Sequence, residues 1–406
     1  MPRILLLAAT TGYQTRSFAE AARRLRVDVT LATDRCHILE DPWRDNAIAI
    51  RFEAPDESAA ALAGAVRCRN IAGIAAVADR PTLIAALTAQ KLGLPWHPPE
   101  AAAACRDKDR MRLLFAAAGL PVPSHQRVPL DTDPATLTPQ YPCVLKPLSL
   151  SASRGVIRAD NQAEFIQAFH RVRRIIGHTG DALQIEAYIP GREYALEGLM
   201  TRGRFRTLAV FDKPDPLEGP FFEETIYVTP SREMGSFVRA LEETTERAAN
   251  SLGLWHGPIH AEMRANPSGI YMLEIAARSI GGLCSRALKF RPAVTLEELL
   301  VLHAAGQVPG RLEPAAPSSG VMMIPVPRDG IFESVSGVES AKSIPGVDDV
   351  IITAKVGERL VPLPEGASYP GFVFSTGENP AAVENSLRRA HAELRFNLAA
   401  TLPVIA

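Results

Sequence analysis

The chain has 406 residues, 47% of them hydrophobic and 22% charged, and a net charge of −1. That length exceeds one ordinary core and predicts two or three domains. The near-zero charge gives no support to a nucleic-acid or anionic-membrane partner, either of which normally leaves a basic excess. The cysteines, Cys36, Cys68, Cys105, Cys143 and Cys284, are scattered with no CxxC, which suggests reduced thiols in a cytoplasmic protein.

In chain order, the apolar run from Ile4 to Ala9 is too short to span a bilayer and reads as a first strand, not a signal peptide. A strand over Arg3–Ala9, a helix over Arg16–Leu25 and a strand over Val27–Ala32 follow from the pattern. A third strand over Ala47–Phe52, a helix over Ser58–Arg67, a strand over Gly73–Ala78 and a helix over Pro81–Leu92 come next. Continuous apolar strands alternating with helices predict a Rossmann-like parallel sheet over residues 1–105. The turn after the first strand lacks GxGxxG, which argues against a dinucleotide site and leaves Thr11, Gly12 and Arg16 as weak substrate-side candidates.

Residues 106–306 form the second predicted unit. It has a helix over Lys108–Ala118, strands over Cys143–Lys146 and Gly155–Arg158, and a helix over Asn161–Ile175. Strands over Leu183–Tyr188, Glu193–Met200 and Arg206–Phe211, a helix over Met234–Leu252, and strands over Gly257–Arg264 and Gly269–Ile275 complete it. A proline-rich joint at 309–317 marks a boundary. Residues 307–406 read as a C-terminal α/β domain with strands over Gly320–Pro325, Val347–Ala354 and Gly371–Ser375 and a terminal helix over Pro380–Leu398.

The chemistry-bearing residues sit mostly in the second unit. Alone, Lys146 is a solvated strand end and Lys108, beside Asp107, a helix-start charge pair. Together with the small-residue loop that follows Lys146, carrying Ser149, Ser151, Ser153 and Gly155, they make a phosphate-binding pattern. Farther on, a turn at 265–268 brings two strands antiparallel. Alternation then puts His260, Glu262 and Arg264 on one face, opposite Glu274, Ala276 and Arg278. Two carboxylates plus phosphate oxygens suit Mg²⁺, which keeps few protein ligands; Mn²⁺ suits the same set. His256 and His260 lack metal-site spacing with cysteine and read as packing or substrate-side residues.

These motifs resemble the ATP-grasp superfamily, most closely its branch of L-amino acid ligases and biotin-carboxylase-like proteins. The resemblance implies an α/β fold with an N-terminal Rossmann-like domain, an ATP-grasp core with a mobile lid over about 123–185, and a C-terminal α/β domain. It implies ATP and Mg²⁺ as cofactors. Lys108, Lys146 and Arg278 would act on the transferring phosphoryl group, and Glu262 and Glu274 would hold the metal. Glu186 becomes the adenine-side acid, Ala187 and Ile189 supply backbone hydrogen bonds, and Glu193 takes the ribose. Gly281 and Gly282, with Glu223 and Glu224, would border the acceptor pocket. The common family pattern has asparagine two residues after the second metal glutamate, and this chain has Ala276, which bears on whether one or two metal ions are held. The implied reaction joins a small-molecule carboxylate to an amine through an acyl phosphate. The family also leaves room for a homodimer. A biotin-carboxylase-like carboxylase and a non-catalytic ATP-sensing module are the alternatives.

Overall fold

The run Ile4–Ala8 is apolar at every position, so a strand made from it must be covered on both faces. In the computed structural model, which describes residues 1–10, 12, 14–34, 47–233, 235–307 and 310–400, that is how it folds. Strand Arg3–Ala8 lies between Asp28–Thr33 and Ile71–Val77, with the short Ile48–Ala49 at the edge, and every pairing is parallel. Leu5 and Leu7 share a core with Leu62 and Ile84 of helices Pro55–Ala65 and Thr82–Leu92. Ile4, Leu6 and Ala8 share another with Phe18 of helix Thr15–Arg24 and Leu299 of helix Leu296–Ala304.

The strand expected over Ala47–Phe52 contributes only two paired residues. The helix expected over Ser58–Arg67 starts earlier, at Pro55, whose fixed φ suits a first helical turn. Helix Leu296–Ala304 is nearly all buried, so no polar stripe marks it in the sequence; the cue it carries is the capping box at Thr295 and Glu298 that starts it. Gly73 is required where this helix meets the sheet. A Cβ there would lie 1.7 Å from the carbonyl oxygen of Ala304.

A second, four-stranded antiparallel sheet has the order His125–Pro129, Ala182–Ala187, Cys143–Pro147, Ile157–Ala159. Helix Gln162–Ile176, capped by Asn161, covers it through Phe165, Phe169 and Val172. The chain leaves this sheet at Ile189-Pro190-Gly191 and enters a larger one. The strands expected over Leu183–Tyr188 and Glu193–Met200 therefore belong to different sheets.

The large sheet is eight-stranded and antiparallel throughout. Its order is Gly269–Ala276, Gly257–Asn266, Arg192–Thr201, Arg204–Asp212, Ile226–Thr229, Ser318–Met323, Gly371–Gly377, Val347–Ile352. It runs unbroken past the proline-rich joint, pairing Ile226–Thr229 with Ser318–Met323. Helix Ser236–Ser251 packs on it; Met234, where the sequence pattern began this helix, lies outside the described residues. The terminal helix expected to reach Leu398 stops at Glu393. Residues Arg395–Ala399 instead pair with Gly330–Ser336, burying Leu398 against Phe332. Among the described residues no helix is long and apolar enough to cross a membrane.

Candidate functional site

Lys108 begins helix Lys108–Ala117. The Asp107 side chain caps that helix by accepting from the N–H groups of Asp109 (3.0 Å) and Arg110 (3.1 Å). This fixes the buried Lys108 so that its Nζ donates to the Leu150 carbonyl at 2.8 Å and pairs with Glu274 at 3.1 Å. The first lysine thus spans the small-residue loop and the acidic strand pair.

Lys146 lies on the central strand Cys143–Pro147, and its Nζ pairs with Glu186 on the adjoining strand Ala182–Ala187. Glu186 also accepts from Arg112 Nε at 2.7 Å and from its second terminal nitrogen at 3.3 Å, and from the Gln184 amide. Burial opposes a charge on Glu186, but Arg112 and Lys146 together hold its carboxyl down to about 2. Burial likewise pushes the Lys146 ammonium down to about 8, partly offset by Glu186. Glu186 is therefore a buried anchor between two cations, and only its cavity-facing side is left for a ligand.

The loop after Lys146 turns through three residues in the left-handed region, Ala152 (φ 55°), Ser153 (φ 53°) and Gly155 (φ 74°). Ser151 and Ser153 face the main cavity. Ser149 lines a separate hollow on the outer side of the loop, and the Gly155 N–H is directed away, donating to Pro364 O at 2.9 Å.

Ala187, Ile189 and Glu193 border the same cavity where the chain crosses between sheets. The Ala187 N–H donates to Ser124 O at 2.9 Å, and Ile189 O accepts from Arg264 at 2.9 Å. The buried Glu193 carboxylate accepts from Arg264 Nε (2.9 Å) and Lys213 Nζ (2.7 Å).

Glu262 and Glu274 are directly paired across strands Gly257–Asn266 and Gly269–Ala276, with a bulge just after Glu262. Both line the cavity, as do His260, Arg264, Ala276 and Arg278. The predicted faces therefore meet. Two further side chains, Lys213 and His260, shape this wall. Lys213 Nζ, buried, pairs with Glu193 and Glu224 and lies 3.5 Å from Glu262. His260 bridges Glu262 (3.4 Å) and the buried Glu197 (3.2 Å), whose carboxylate also accepts from the Ile280 N–H. Oxygens of Glu193, Glu224 and Glu262 come within 4.8 Å of one another, as metal ligands do. The Lys213 ammonium is already placed against all three, so a protein cation stands where these oxygens converge. Glu262 and Glu274, each beside one lysine, Lys213 and Lys108, present two oxygen donors to one cavity, which fits Mg²⁺ chemistry.

Glu224 lines the cavity and accepts from the Tyr227 hydroxyl at 2.9 Å. Burial, reinforced by Glu262, lifts its carboxyl to about 7 despite Lys213. Its neighbour Glu223 is not on the cavity wall, since successive residues of an extended segment point oppositely. Gly281 and Gly282 do line it.

Arg278 is held by a residue that sequence reasoning missed. Its Nε and a terminal nitrogen donate to the two oxygens of Asp79 at 2.8 and 3.1 Å, and its other terminal nitrogen donates to Ser279 O at 2.9 Å. Asp79 follows strand Ile71–Val77 of the N-terminal sheet. The whole cavity, about 320 Å³, thus draws walls from Asp79 and Gln14, from Lys146 and Ser151, and from Met323 and Tyr369. Of the early candidates Gly12 lines it, Arg16 does not, and Thr11 lies outside the described residues. Lys213, Arg112 and Asp79 carried no signal a single sequence exposes; each is meaningful only through a partner brought close by folding.

Three family models match the chain: an ATP-grasp N-terminal domain over residues 19–96, an ATP-grasp domain over 139–287, and an L-amino acid ligase C-terminal domain 2 over 322–399. An uncharacterized protein of Sinorhizobium fredii is 22% identical over 98% of this chain and 84% of its own length. The alanine–anticapsin ligase of Bacillus subtilis is 28% identical over 47% of this chain and 45% of its own, so the match spans less than half of that enzyme. A solved L-amino acid ligase from Bacillus licheniformis has the same fold, with a TM-score of 0.83 and 24% identity, covering 98% of this chain and 99% of that one. The fold is that of an ATP-grasp protein. The chain belongs to the ATP-grasp superfamily.

Proposed function

We propose that this chain is an ATP-dependent ligase that joins a carboxylate, an amino acid or similar acid, to an amine, giving an amide or dipeptide with ADP and phosphate. The observation that carries this reading is the convergence on one cavity of Lys108, Lys146, the Glu262–Glu274 pair and Arg278. Transfer of a γ-phosphoryl group uses such a set, because its charge develops on oxygens that cations must meet.

In this reading Lys146 and Ser151 hold phosphate oxygens, and Ala187, Ile189 and Glu193 border the adenosine. A Mg²⁺ or Mn²⁺ ion held by Glu262 and Glu274 would neutralise oxygens of the β- and γ-phosphates. Arg278 faces the acid. The acid's oxygen attacks the γ-phosphorus, and the bond from that phosphorus to the β–γ bridging oxygen breaks, releasing ADP. The amine nitrogen then attacks the acyl carbon of the acyl phosphate. The carbon–oxygen bond breaks, phosphate leaves, and the amine gives up a proton to solvent or to a cavity carboxylate. The Ser149–Gly155 loop, closed over the site, keeps water from the acyl phosphate.

The test is a matrix of amino-acid pairs scored for phosphate release, with mass detection of products. ATP cleavage that requires both an acid and an amine, with the condensed product at the expected mass, is the predicted result. ATP turnover indifferent to every pair, or dependent on bicarbonate and biotin, would overturn it.

A further inference from the structure

We propose that Asp79, from the N-terminal sheet, is the positioning residue for Arg278, and that it keeps this guanidinium off the metal carboxylates Glu262 and Glu274. The inference rests on the ligase reading of that wall and adds the N-terminal domain to it. The two side chains are 199 residues apart in sequence and meet in a two-pronged pair, 2.8 Å at Nε and 3.1 Å at a terminal nitrogen. A planar guanidinium fixes its orientation best when a carboxylate takes two parallel N–H bonds. Ser279 O takes a third donor, so about two of the five N–H groups remain to face a substrate anion.

Asp79 itself is rigidly presented. It follows Ala78, a non-glycine residue in the left-handed region (φ 69°) at the end of strand Ile71–Val77, and such conformations persist where surrounding structure imposes them. Its carbonyl oxygen accepts from the Thr82 hydroxyl at 2.7 Å and the Thr82 N–H at 3.2 Å, at the start of helix Thr82–Leu92. Burial would raise the Asp79 carboxyl, but Arg278, helped by Lys108 and Ser151, holds it below the usual carboxylate range.

Glu262 and Glu274 line the same cavity as Arg278 and are the further carboxylates whose charge acts on it. Arg278 cannot shed its charge and is largely buried, so without Asp79 it must turn to the remaining acids. Those are the carboxylates assigned to the divalent ion. Losing Asp79 therefore places a protein cation where a metal is needed.

The test is Mn²⁺ binding, followed by electron paramagnetic resonance, with a non-hydrolysable ATP analogue. Wild type, Asp79→Asn and the double variant Asp79→Asn/Arg278→Gln are compared, and melting temperatures report folding. Asp79→Asn should lower Mn²⁺ affinity about tenfold, and removing Arg278 in the double variant should restore it. Asp79→Glu, which keeps the charge, serves if the asparagine variant does not fold, and should bind Mn²⁺ more tightly than a charge-free Asp79→Ser. Unchanged affinity in the charge-free variant, or a loss that persists in the double variant, overturns the clamp while leaving the ligase reading intact. Failure of wild type to bind Mn²⁺ with the analogue overturns both.

Discussion

Among single residues, Lys146 joins sequence, electrostatics and function most directly. Burial brings its ammonium down to about 8, and Glu186 keeps it from falling further. Because the folded protein loses this charge as pH rises through about 8, nucleotide affinity should weaken above that pH and hold below it. Lys146→Ala should raise the ATP dissociation constant by roughly tenfold or more, the scale of a charge-assisted hydrogen bond, and abolish turnover. The fold should survive, since Glu186 keeps its bonds to Arg112. Isothermal titration with ATP between pH 6 and 10 checks both statements, and a flat profile with normal binding by the variant contradicts them. Lys146 and Lys108 were legible in the sequence because each begins or ends an element beside a second cue, the Ser/Gly loop and the Asp107 cap. Glu262 and Glu274 were legible because strand alternation across a short turn fixes which residues share a face. Lys213 was not. A lysine before proline in a loop reads as surface until folding buries it among Glu193, Glu224 and Glu262.

Among elements, the small sheet with helix Gln162–Ile176 meets its neighbours through one small apolar cluster, Val144 with Leu217 and Phe222, and through a set of polar contacts. Arg171 makes a two-pronged pair with Glu365 at 2.7 and 2.9 Å, Arg154 donates to the Glu365 carbonyl at 3.0 Å, and the Gly155 N–H donates to Pro364. Arg158 donates to Glu218 O at 2.8 Å, and the Arg171 guanidinium lies 4.9 Å from the Phe221 ring centre. Such contacts suit a segment that closes and reopens. The Arg171–Glu365 pair is partly solvated, worth about 0.2–1 kcal/mol after screening, so breaking it should increase opening by up to about fivefold. Arg171→Glu should speed tryptic cleavage near Arg154 and nucleotide release by that factor, and Arg171→Glu/Glu365→Arg should reverse both. A double variant as open as the single would disprove the latch. The elements that escaped sequence reading have physical reasons. Helix Leu296–Ala304 is buried nearly all round, so it lacks a stripe, and Arg395–Ala399 continues an apparent helical pattern until its pairing with Gly330–Ser336 decides otherwise.

Across the whole molecule, the N-terminal sheet and the large sheet meet at a seam of three histidines. His97 Nδ1 accepts from the Trp255 N–H at 3.1 Å, and its Nε2 lies 3.1 Å from Pro258 O. His256 stacks on His303 at 4.2 Å, and neither ring nitrogen of His256 has a hydrogen-bond partner. Burial lowers His97 and His256 to about 4 and His303 to about 3, with further depression from neighbouring histidines and, at His256, from Arg202. Unfolded histidine titrates near 6.5, so between that pH and about 4 the unfolded chain binds more protons. The neutral seam's full contribution is present above 6.5 and is lost as pH falls through the folded values. Melting temperature should drop over that window, and His256→Leu should drop less. Equal drops for the two proteins would remove the seam from the account.

The seam and the Asp79–Arg278 pair tie the N-terminal sheet to a cavity whose proposed chemistry is phosphoryl transfer to a carboxylate. With a substrate pair in hand, the acid labelled with ¹⁸O in its carboxylate reports that chemistry directly. Mass analysis of the released phosphate should find one labelled oxygen per molecule, alongside ADP, because the carboxylate oxygen that attacks phosphorus leaves with it. Unlabelled phosphate, or AMP as the nucleotide product, would contradict the acyl-phosphate ligase account.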